Sequence, residues 1–137
     1  MPSKLKKQTG KSGGKVRITE TPQTPSDDKH PIFCLQYLSR DFSLANCNRE
    51  EKAAFADTLA HLSQMTWGQL RFAPRHGAGY EKIDRDSIRA DIPAHLLEDV
   101  SHFVAFRFYG LAPMVGYKEN EVLHVVWLDR EFRLYDH

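Results

Sequence analysis

The residues best suited to chemistry lie in the segment that reads EFRLYDH. Arg133, Tyr135 and His137 occupy alternate positions there. Alternate residues of a β-strand point to the same face, so these three side chains would share a face if the segment is extended. Histidine titrates near neutral pH and can give or take a proton, whereas arginine supplies a permanent planar donor for phosphate. The trio could therefore act on a phosphodiester, although a solvated strand edge has the same pattern.

A fourth candidate lies in HFVAFRFY, residues 102–109, where positions 104, 106 and 108 are all apolar. We expect this apolar row to pack under helices, which leaves Arg107 on the opposite and more open face. If Phe132 and Leu134 also face the helices, the polar residues of the final segment join Arg107. A purely structural alternative is that Arg107 pairs with an acid such as Asp129.

Arginine, tyrosine and histidine on an open sheet meet the needs of RNA cleavage without a metal. The ribose 2′-hydroxyl must lose a proton, the phosphate gains charge in the transition state, and the leaving 5′-oxygen must receive a proton. We expect Arg107 and Arg133 to hold phosphate, His137 to act as general acid and Tyr135 to orient the nucleotide. No cofactor is predicted. A metal site is an alternative whose ligands follow no recognised spacing, and these ligands would be His124, Asp129, Asp136 and His137.

Two consecutive helices precede these residues. Asn48 followed three residues later by Glu51 forms a capping-box pattern and, with apolar residues at helical spacing, predicts a helix over residues 49–64. The sequence TWGQL repeats the pattern from Thr66 and predicts a short second helix that ends before Pro74. Together they predict a helical hairpin.

Strand patterns flank the helices. IFCLQYL predicts a first strand over residues 32–38, and the runs HFVAFRFYG, MVGYKENE and VLHVVWLD predict an antiparallel meander. The final segment would be the edge of that sheet. Between helices and meander, residues 75–96 predict a long loop with a turn of helix near Pro93. The expected class is α+β in the order β-α-α-β-β-β, with the helices on one face of the sheet.

The composition limits the domain count and the location. With 137 residues, 41% of them hydrophobic, the chain supports one core, which we place in residues 31–137. No apolar run approaches the length of about 20 residues that spans a bilayer, and no secretory signal is recognisable. We therefore expect a cytoplasmic protein that has no membrane partner. Two cysteines are too few for a disulfide framework.

Residues 1–30 differ in composition from the rest. Six basic residues and no acidic one lie within the first 17, so the remaining chain has 13 basic residues against 18 acidic ones. Glycine, serine, proline and charge predominate up to residue 30, which predicts a disordered N-terminal arm. The arm could attract nucleic acid through its charge, or it could be an inert leader.

The segments LSQMTWGQL, FVAFRFYG, MVGYK and HVVWLDREFRLYDH together resemble the compact toxins of bacterial type II toxin-antitoxin systems. The resemblance is to a ParE-like group of the RelE/ParE superfamily and covers about residues 32–137. It implies a helical hairpin packed on a curved antiparallel β-sheet, in agreement with the order of elements. It also implies a cognate antitoxin protein as partner.

The resemblance implies two possible activities. RelE-like members cleave messenger RNA on the ribosome with basic residues of the sheet and a Tyr or His near the C-terminus, which Arg107, Tyr135 and His137 match. Some members use an acidic general base, for which Glu81 in GYEKI is the nearest candidate. ParE-like members instead bind and inhibit DNA gyrase without catalysis. A third reading, independent of the resemblance, is an interaction domain whose edge strand accepts a partner peptide.

Overall fold

A mixed five-stranded sheet with two helices on one face forms the framework of this protein. The computed structural model describes residues 26–74, 77–96 and 100–137. The helices and strands are β1 (Ile32–Cys34), α1 (Arg49–Ser63), α2 (Trp67–Phe72), β2 (Glu81–Asp84), β3 (His102–Tyr109), β4 (Ala112–Glu119) and β5 (Val122–Leu128). The predicted α+β class is thus confirmed. No helix in these ranges is long and apolar enough to cross a membrane.

The structure describes only the end of the predicted N-terminal arm, from residue 26 onward. Residues 1–25 of the predicted disordered arm lie outside the described residues, but the last part of that arm contacts the domain. The backbone N–H of Gly68 donates to the Asp27 carbonyl (2.9 Å), and that of Trp67 donates to the Lys29 carbonyl (2.9 Å). These bonds satisfy N–H groups in the first turn of α2, which no helical carbonyl can reach.

The strands lie in the order β1-β5-β4-β3-β2. The pairs β5-β4, β4-β3 and β3-β2 are antiparallel, whereas β1 and β5 are parallel. The predicted antiparallel meander of β3, β4 and β5 is correct, but the whole sheet is mixed. The first strand is also shorter than the predicted range 32–38, because only residues 32–34 pair with β5.

Both helices begin at the predicted caps. The Asn48 side chain accepts a hydrogen bond from the Glu51 backbone N–H (2.8 Å), and the Glu51 carboxylate accepts one from the Asn48 N–H (2.8 Å). Thr66 and Gln69 form the same reciprocal pair at the start of α2. Each box satisfies donors that would otherwise have no partner at a helix N-terminus.

The helix-facing side of the sheet forms the first core cluster, as the alternation of β3 predicted. Its members come from the helices and from the three long strands, and they include Phe55, Leu62, Trp67, Leu70, Val104, Phe106, Phe108, Met114, Leu123 and Val125. Trp67 and Leu70 are almost fully buried here, although α2 has only six residues. Burial of this apolar surface holds the short helix against the sheet.

The opposite face is not the open surface that the sequence suggested. A second core cluster covers most of it and includes Phe42, Ile83, Leu96, Phe103, Val115, Trp127, Leu134 and Tyr135. Short 3₁₀ helices at Arg85–Ser87 and Ala94–Leu96 lie in the connection that contributes to this layer. The predicted loop also contains β2, which pairs with β3 and forms one edge of the sheet.

The final segment is a turn and not an edge strand. After β5 the Phe132 N–H donates to the Asp129 carbonyl (3.3 Å), and Phe132 adopts a positive φ of 58°. Strand alternation is therefore broken, and the neighbours Leu134 and Tyr135 are both buried. The expectation that Leu134 faces the helices is wrong, because it packs in the second cluster on the other side of the sheet.

Candidate active site

A cavity of about 290 Å³ opens on the face opposite the helices, where the second cluster leaves part of the sheet uncovered. Four of the five side chains selected from the sequence line this cavity, which we call the Arg107 cavity: Glu81, Arg107, Tyr135 and His137. Phe132, Asp136 and the exposed Leu111 also line it. Four of the candidate residues thus converge, although the segment that carries Tyr135 and His137 is not a strand.

Strand register brings two of the charged candidates, Glu81 and Arg107, to the same side of the sheet. Glu81 of β2 lies opposite Ala105 of β3, and Arg107 follows two positions later on the same strand. Directly paired residues of antiparallel strands share a face, and so do residues two apart, so Glu81 and Arg107 project from the same side. The predicted association of Glu81 with this site therefore depends on a strand that its sequence did not indicate.

The fully buried carboxylate of Asp129 organises the final turn. One of its oxygens accepts the Arg133 N–H (2.9 Å), and the other accepts the Leu134 N–H (3.1 Å). The second oxygen also accepts from Nε2 of His137 (3.1 Å). Three donors therefore converge on one side chain, which compensates for its removal from water.

This contact determines which ring nitrogen of His137 is available for proton transfer to a substrate. Because Nε2 donates to Asp129, Nδ1 is the acceptor in the neutral ring and a second donor in the imidazolium. The contact with the Asp129 carboxylate also fixes the orientation of the imidazole ring. The arrangement of Asp129 and His137 is thus suited to a proton donor held in one orientation.

Two aromatic rings enclose His137. Tyr135 stacks on it with ring centroids 4.1 Å apart, and Phe132 makes an edge contact at 5.2 Å. Tyr135 is only 5% exposed, so its ring supports the imidazole and does not present an open face to a nucleotide base. Phe132 is 44% exposed at the rim. Of the two rings, only Phe132 therefore presents an open face on which a nucleotide base could stack.

Arg133 does not join the other candidates. Its guanidinium lies over the Phe42 ring, 4.2 Å from the centroid, and donates to the Asp41 carbonyl (3.0 Å). Its Nε is also 3.3 Å from a carboxylate oxygen of Glu131. These residues line a separate cavity of about 270 Å³, so the expected pair of phosphate-binding arginines is divided between two places.

The charges around the Arg107 cavity are mixed. Arg107 and the titratable His137 face the carboxylates of Glu81 and Asp136, and Asp136 forms an exposed ion pair with Arg89. A phosphate group in this cavity would therefore depend on Arg107, with further attraction when His137 is protonated.

The sequence suggested two other roles for Asp129, as an ion-pair partner of Arg107 or as a metal ligand, and its contacts bear on both. Its carboxylate is occupied by backbone N–H groups and by His137. In the described ranges, no three His, Cys, Asp or Glu side chains form a group that could hold a metal ion. We therefore describe Asp129 as a positioning residue for the turn and for His137.

Comparison with known proteins was negative. Neither known families, curated proteins nor solved structures give a significant match to this chain. The geometry of the Arg107 cavity therefore provides the argument for function.

The sequence suggested Asp129 only as a partner of Arg107 or a metal ligand and placed Phe132 toward the helices, so the roles of both residues at this site were missed. Asp129 had a weak signal, since an aspartate directly after a buried strand often accepts hydrogen bonds from backbone N–H groups of a following turn. Phe132 had none, because bulky residues rarely adopt positive φ and nothing in FRLYDH marks that position.

Proposed function

We propose that this protein is an endoribonuclease whose active site is the Arg107 cavity. The observation that carries the proposal is the convergence of an arginine, a carboxylate and an Asp-oriented histidine on one small cavity. These are the groups that phosphodiester cleavage by the ribose 2′-hydroxyl needs, namely a phosphate-binding cation, a proton acceptor and a proton donor.

Each group has a defined part in the proposed reaction. The Glu81 carboxylate takes the proton from the 2′-hydroxyl, and the 2′-oxygen then forms a bond to phosphorus. The bond from phosphorus to the 5′-oxygen breaks, and this oxygen takes a proton from Nδ1 of protonated His137. Arg107 balances the charge that grows on the non-bridging oxygens. The products are a 2′,3′-cyclic phosphate and a 5′-hydroxyl.

Phe132 supports recognition of single-stranded RNA in this proposal. Its ring is exposed at the rim and is held in a conformation that costs roughly 1–3 kcal/mol. Three bonds to Asp129 within the next five residues stabilise the turn that contains it. A fixed aromatic ring beside the proton donor could stack on a nucleotide base without reading a duplex.

The biological setting follows from the resemblance to RelE/ParE-superfamily toxins. In that setting the protein is the cytoplasmic toxin of a type II toxin-antitoxin system, its substrate is ribosome-associated mRNA, and a cognate antitoxin neutralises it. The alternative is a non-catalytic toxin that inhibits DNA gyrase. The cavity favours the nuclease, because an inhibitor that only binds a protein does not require an oriented proton donor.

The test compares two arginines that look equivalent in the sequence. We expect Arg107→Ala to lower the rate of RNA cleavage by about 100-fold or more, as loss of a transition-state charge donor typically does. Arg133→Ala should retain most of the rate, because that side chain lies in another cavity. His137→Ala should leave only a small residual rate, because the proton donor is lost. Labelled RNA, free and on ribosomes, provides the assay, and the 2′,3′-cyclic phosphate end identifies the chemistry.

Growth arrest separates the nuclease from the gyrase inhibitor. We expect expression of the wild-type chain to arrest growth with broken mRNA and normal DNA supercoiling, and expect His137→Ala to remove both the arrest and the mRNA damage. If the His137→Ala protein is folded and arrests growth as strongly as wild type, the proposed nuclease function is wrong. Inhibited supercoiling in that case would point to gyrase.

A further inference from the structure

A second cavity, of about 340 Å³, lies on the helix side of the sheet. We call it the Lys118 cavity, and the residues that matter here are Trp67, Arg71, Tyr80, Lys82, His102 and Lys118. Lys118 is near the end of β4 and His102 begins the antiparallel β3, so the cavity lies at one end of these strands. Arg107 and Pro113 place the Arg107 cavity toward the other end, on the opposite face.

The ammonium group of Lys118 is only partly compensated. It donates to the Ser26 hydroxyl (2.5 Å) and lies over the Trp67 ring, 4.9 Å from the centroid. Among the described residues, it forms no ion pair with a carboxylate. Burial lowers the pKa of Lys118, although the carboxylates of Asp27 and Glu121 oppose that effect. An anionic ligand would supply the negative charge that a half-buried lysine favours.

Further cations surround the same space. Arg71 forms an ion pair with Asp27 (2.8 Å), and the two side chains are only 22% and 12% exposed. Lys82 and His102 are exposed at the rim. Because Asp27 balances one cation, the lining has a net positive charge from Lys118 and Lys82 even when His102 is neutral. A phosphate group could reach several donors at once.

Aromatic side chains form the other part of the lining. The partly buried Tyr80 supplies the accessible ring, and it makes an edge contact with the almost fully buried Trp67, with centroids 6.0 Å apart. Cations beside aromatic surface form the combination that binds both the backbone and the bases of single-stranded nucleic acids. The volume lies within the range of small-ligand cavities.

We propose that the Lys118 cavity binds one nucleotide unit of a single-stranded RNA, with its phosphate on Lys118 and Lys82 and its base against Tyr80. This binding site is separate from the Arg107 cavity. It is independent of the proposed cleavage, because a nucleotide can bind here whether or not the other cavity performs chemistry.

The experiment is a titration of the full chain with AMP, adenosine and inorganic phosphate, followed by nuclear magnetic resonance of the two tryptophan indole N–H groups. The Trp67 indole borders the cavity and donates to the Glu121 carbonyl (3.0 Å), whereas Trp127 is fully buried elsewhere and serves as an internal reference. We expect AMP to shift the Trp67 signal with a dissociation constant of about 1 mM or below. Adenosine and phosphate should bind at least about tenfold more weakly, because each engages half of the site.

Charge-removing variants complete the test. Lys118→Gln keeps a polar end for Ser26 and should weaken AMP binding by about tenfold or more, and Lys82→Gln should weaken it without disturbing the buried contacts. Lys52→Gln, on an exposed position of α1, is the control and should bind AMP like wild type. Equal binding of phosphate and AMP would refute the nucleotide assignment. Unchanged AMP binding in Lys82→Gln and in any folded Lys118→Gln protein would refute the site itself.

Discussion

Replacement of Asp129 by asparagine tests whether one carboxylate holds the final turn. Asn is nearly the same size but replaces one acceptor oxygen with an NH₂ donor, and the side chain is fully buried. If the amide oxygen stays with Leu134 and His137, the NH₂ group faces the Arg133 N–H. If it stays with Arg133, the NH₂ group faces the other two donors. Neither orientation satisfies all three contacts.

The expected magnitude follows from the bonds that are lost. A hydrogen bond to a charged group contributes about 1.5–3 kcal/mol, and a buried donor left unpaired costs about 1–3 kcal/mol. Since at least one such bond is lost and the strain at Phe132 is less well compensated, we expect Asp129→Asn to lower the free energy of unfolding by about 2–4 kcal/mol. Most domains retain a folded state after such a loss.

Urea unfolding followed by circular dichroism is the assay, and Asp136→Asn is the matched control. Asp136 is 87% exposed and pairs only with the exposed Arg89 among its described ion-pair partners, so its replacement should cost no more than about 1 kcal/mol. A difference below about 1 kcal/mol between wild type and Asp129→Asn, with an unchanged slope, would refute the role given to this carboxylate.

RNA cleavage provides a second readout of the same substitution. If Asp129 acts on chemistry through His137, then Asp129→Asn should lower the rate in the wild-type background but cause little further loss in a His137→Ala background. The loss of stability should instead remain in both backgrounds, because the two backbone N–H groups are affected in either case. Equal fractional losses of cleavage in both backgrounds would show that Asp129 does not act through His137.

Two further predictions concern the framework. Gly116→Ala should lower the free energy of unfolding by about 3 kcal/mol or more in urea unfolding, because the added Cβ would lie 2.1 Å from the carbonyl oxygen of His124 and both are backbone-constrained in paired strands. An unchanged unfolding midpoint would contradict this close approach. Arg130→Met should make the protein more sensitive to acid. Burial opposes ionisation of Glu51, but the Arg130 and Asn48 hydrogen bonds outweigh it and lower the pKa of the carboxyl. The stabilisation is therefore present above the unfolded-state pKa and lost as the pH falls through the lower folded-state pKa, and loss of Arg130 should move that decline to higher pH. Unfolding midpoints measured across the acid range check this, and an unshifted decline would count against it.

The helices and the meander could be predicted because their signals are local. The reciprocal bonds of Asn48 with Glu51 involve residues three apart, and the apolar periodicity of α1 lies within a few turns. The edge strand β2 had no such signal. EKID contains one buried apolar residue, Ile83, and becomes a strand by pairing with β3. Its structure depends on a long-range contact that short-range patterns do not contain.

Four candidate residues that were selected by type line the Arg107 cavity, but the sequence did not predict how they are arranged. Alternation in FRLYDH predicted that Arg133 accompanies His137, and this fails because the segment forms a turn. Asp129 directs the backbone so that Leu134 and Tyr135 enter the second cluster, while Arg133 moves to Phe42. His137 still arrives at the Arg107 cavity, for a different physical reason than the predicted strand geometry.

The same carboxylate therefore links the stability of the final turn to the position of the proposed proton donor. Because Asp129 is buried with its bonds directed at two backbone N–H groups, the turn cannot open without exposing it or leaving it unsatisfied. Opening of the turn would release Nε2 of His137 and displace Phe132 from the rim at the same time. A variant that loosens the turn should consequently lose both the orientation of the imidazole and the aromatic surface beside it. The arrangement of His137 and Phe132 therefore depends on the final turn, which the Asp129 side chain holds in place. We expect the rate of RNA cleavage to fall at lower denaturant concentrations than those that unfold the whole domain.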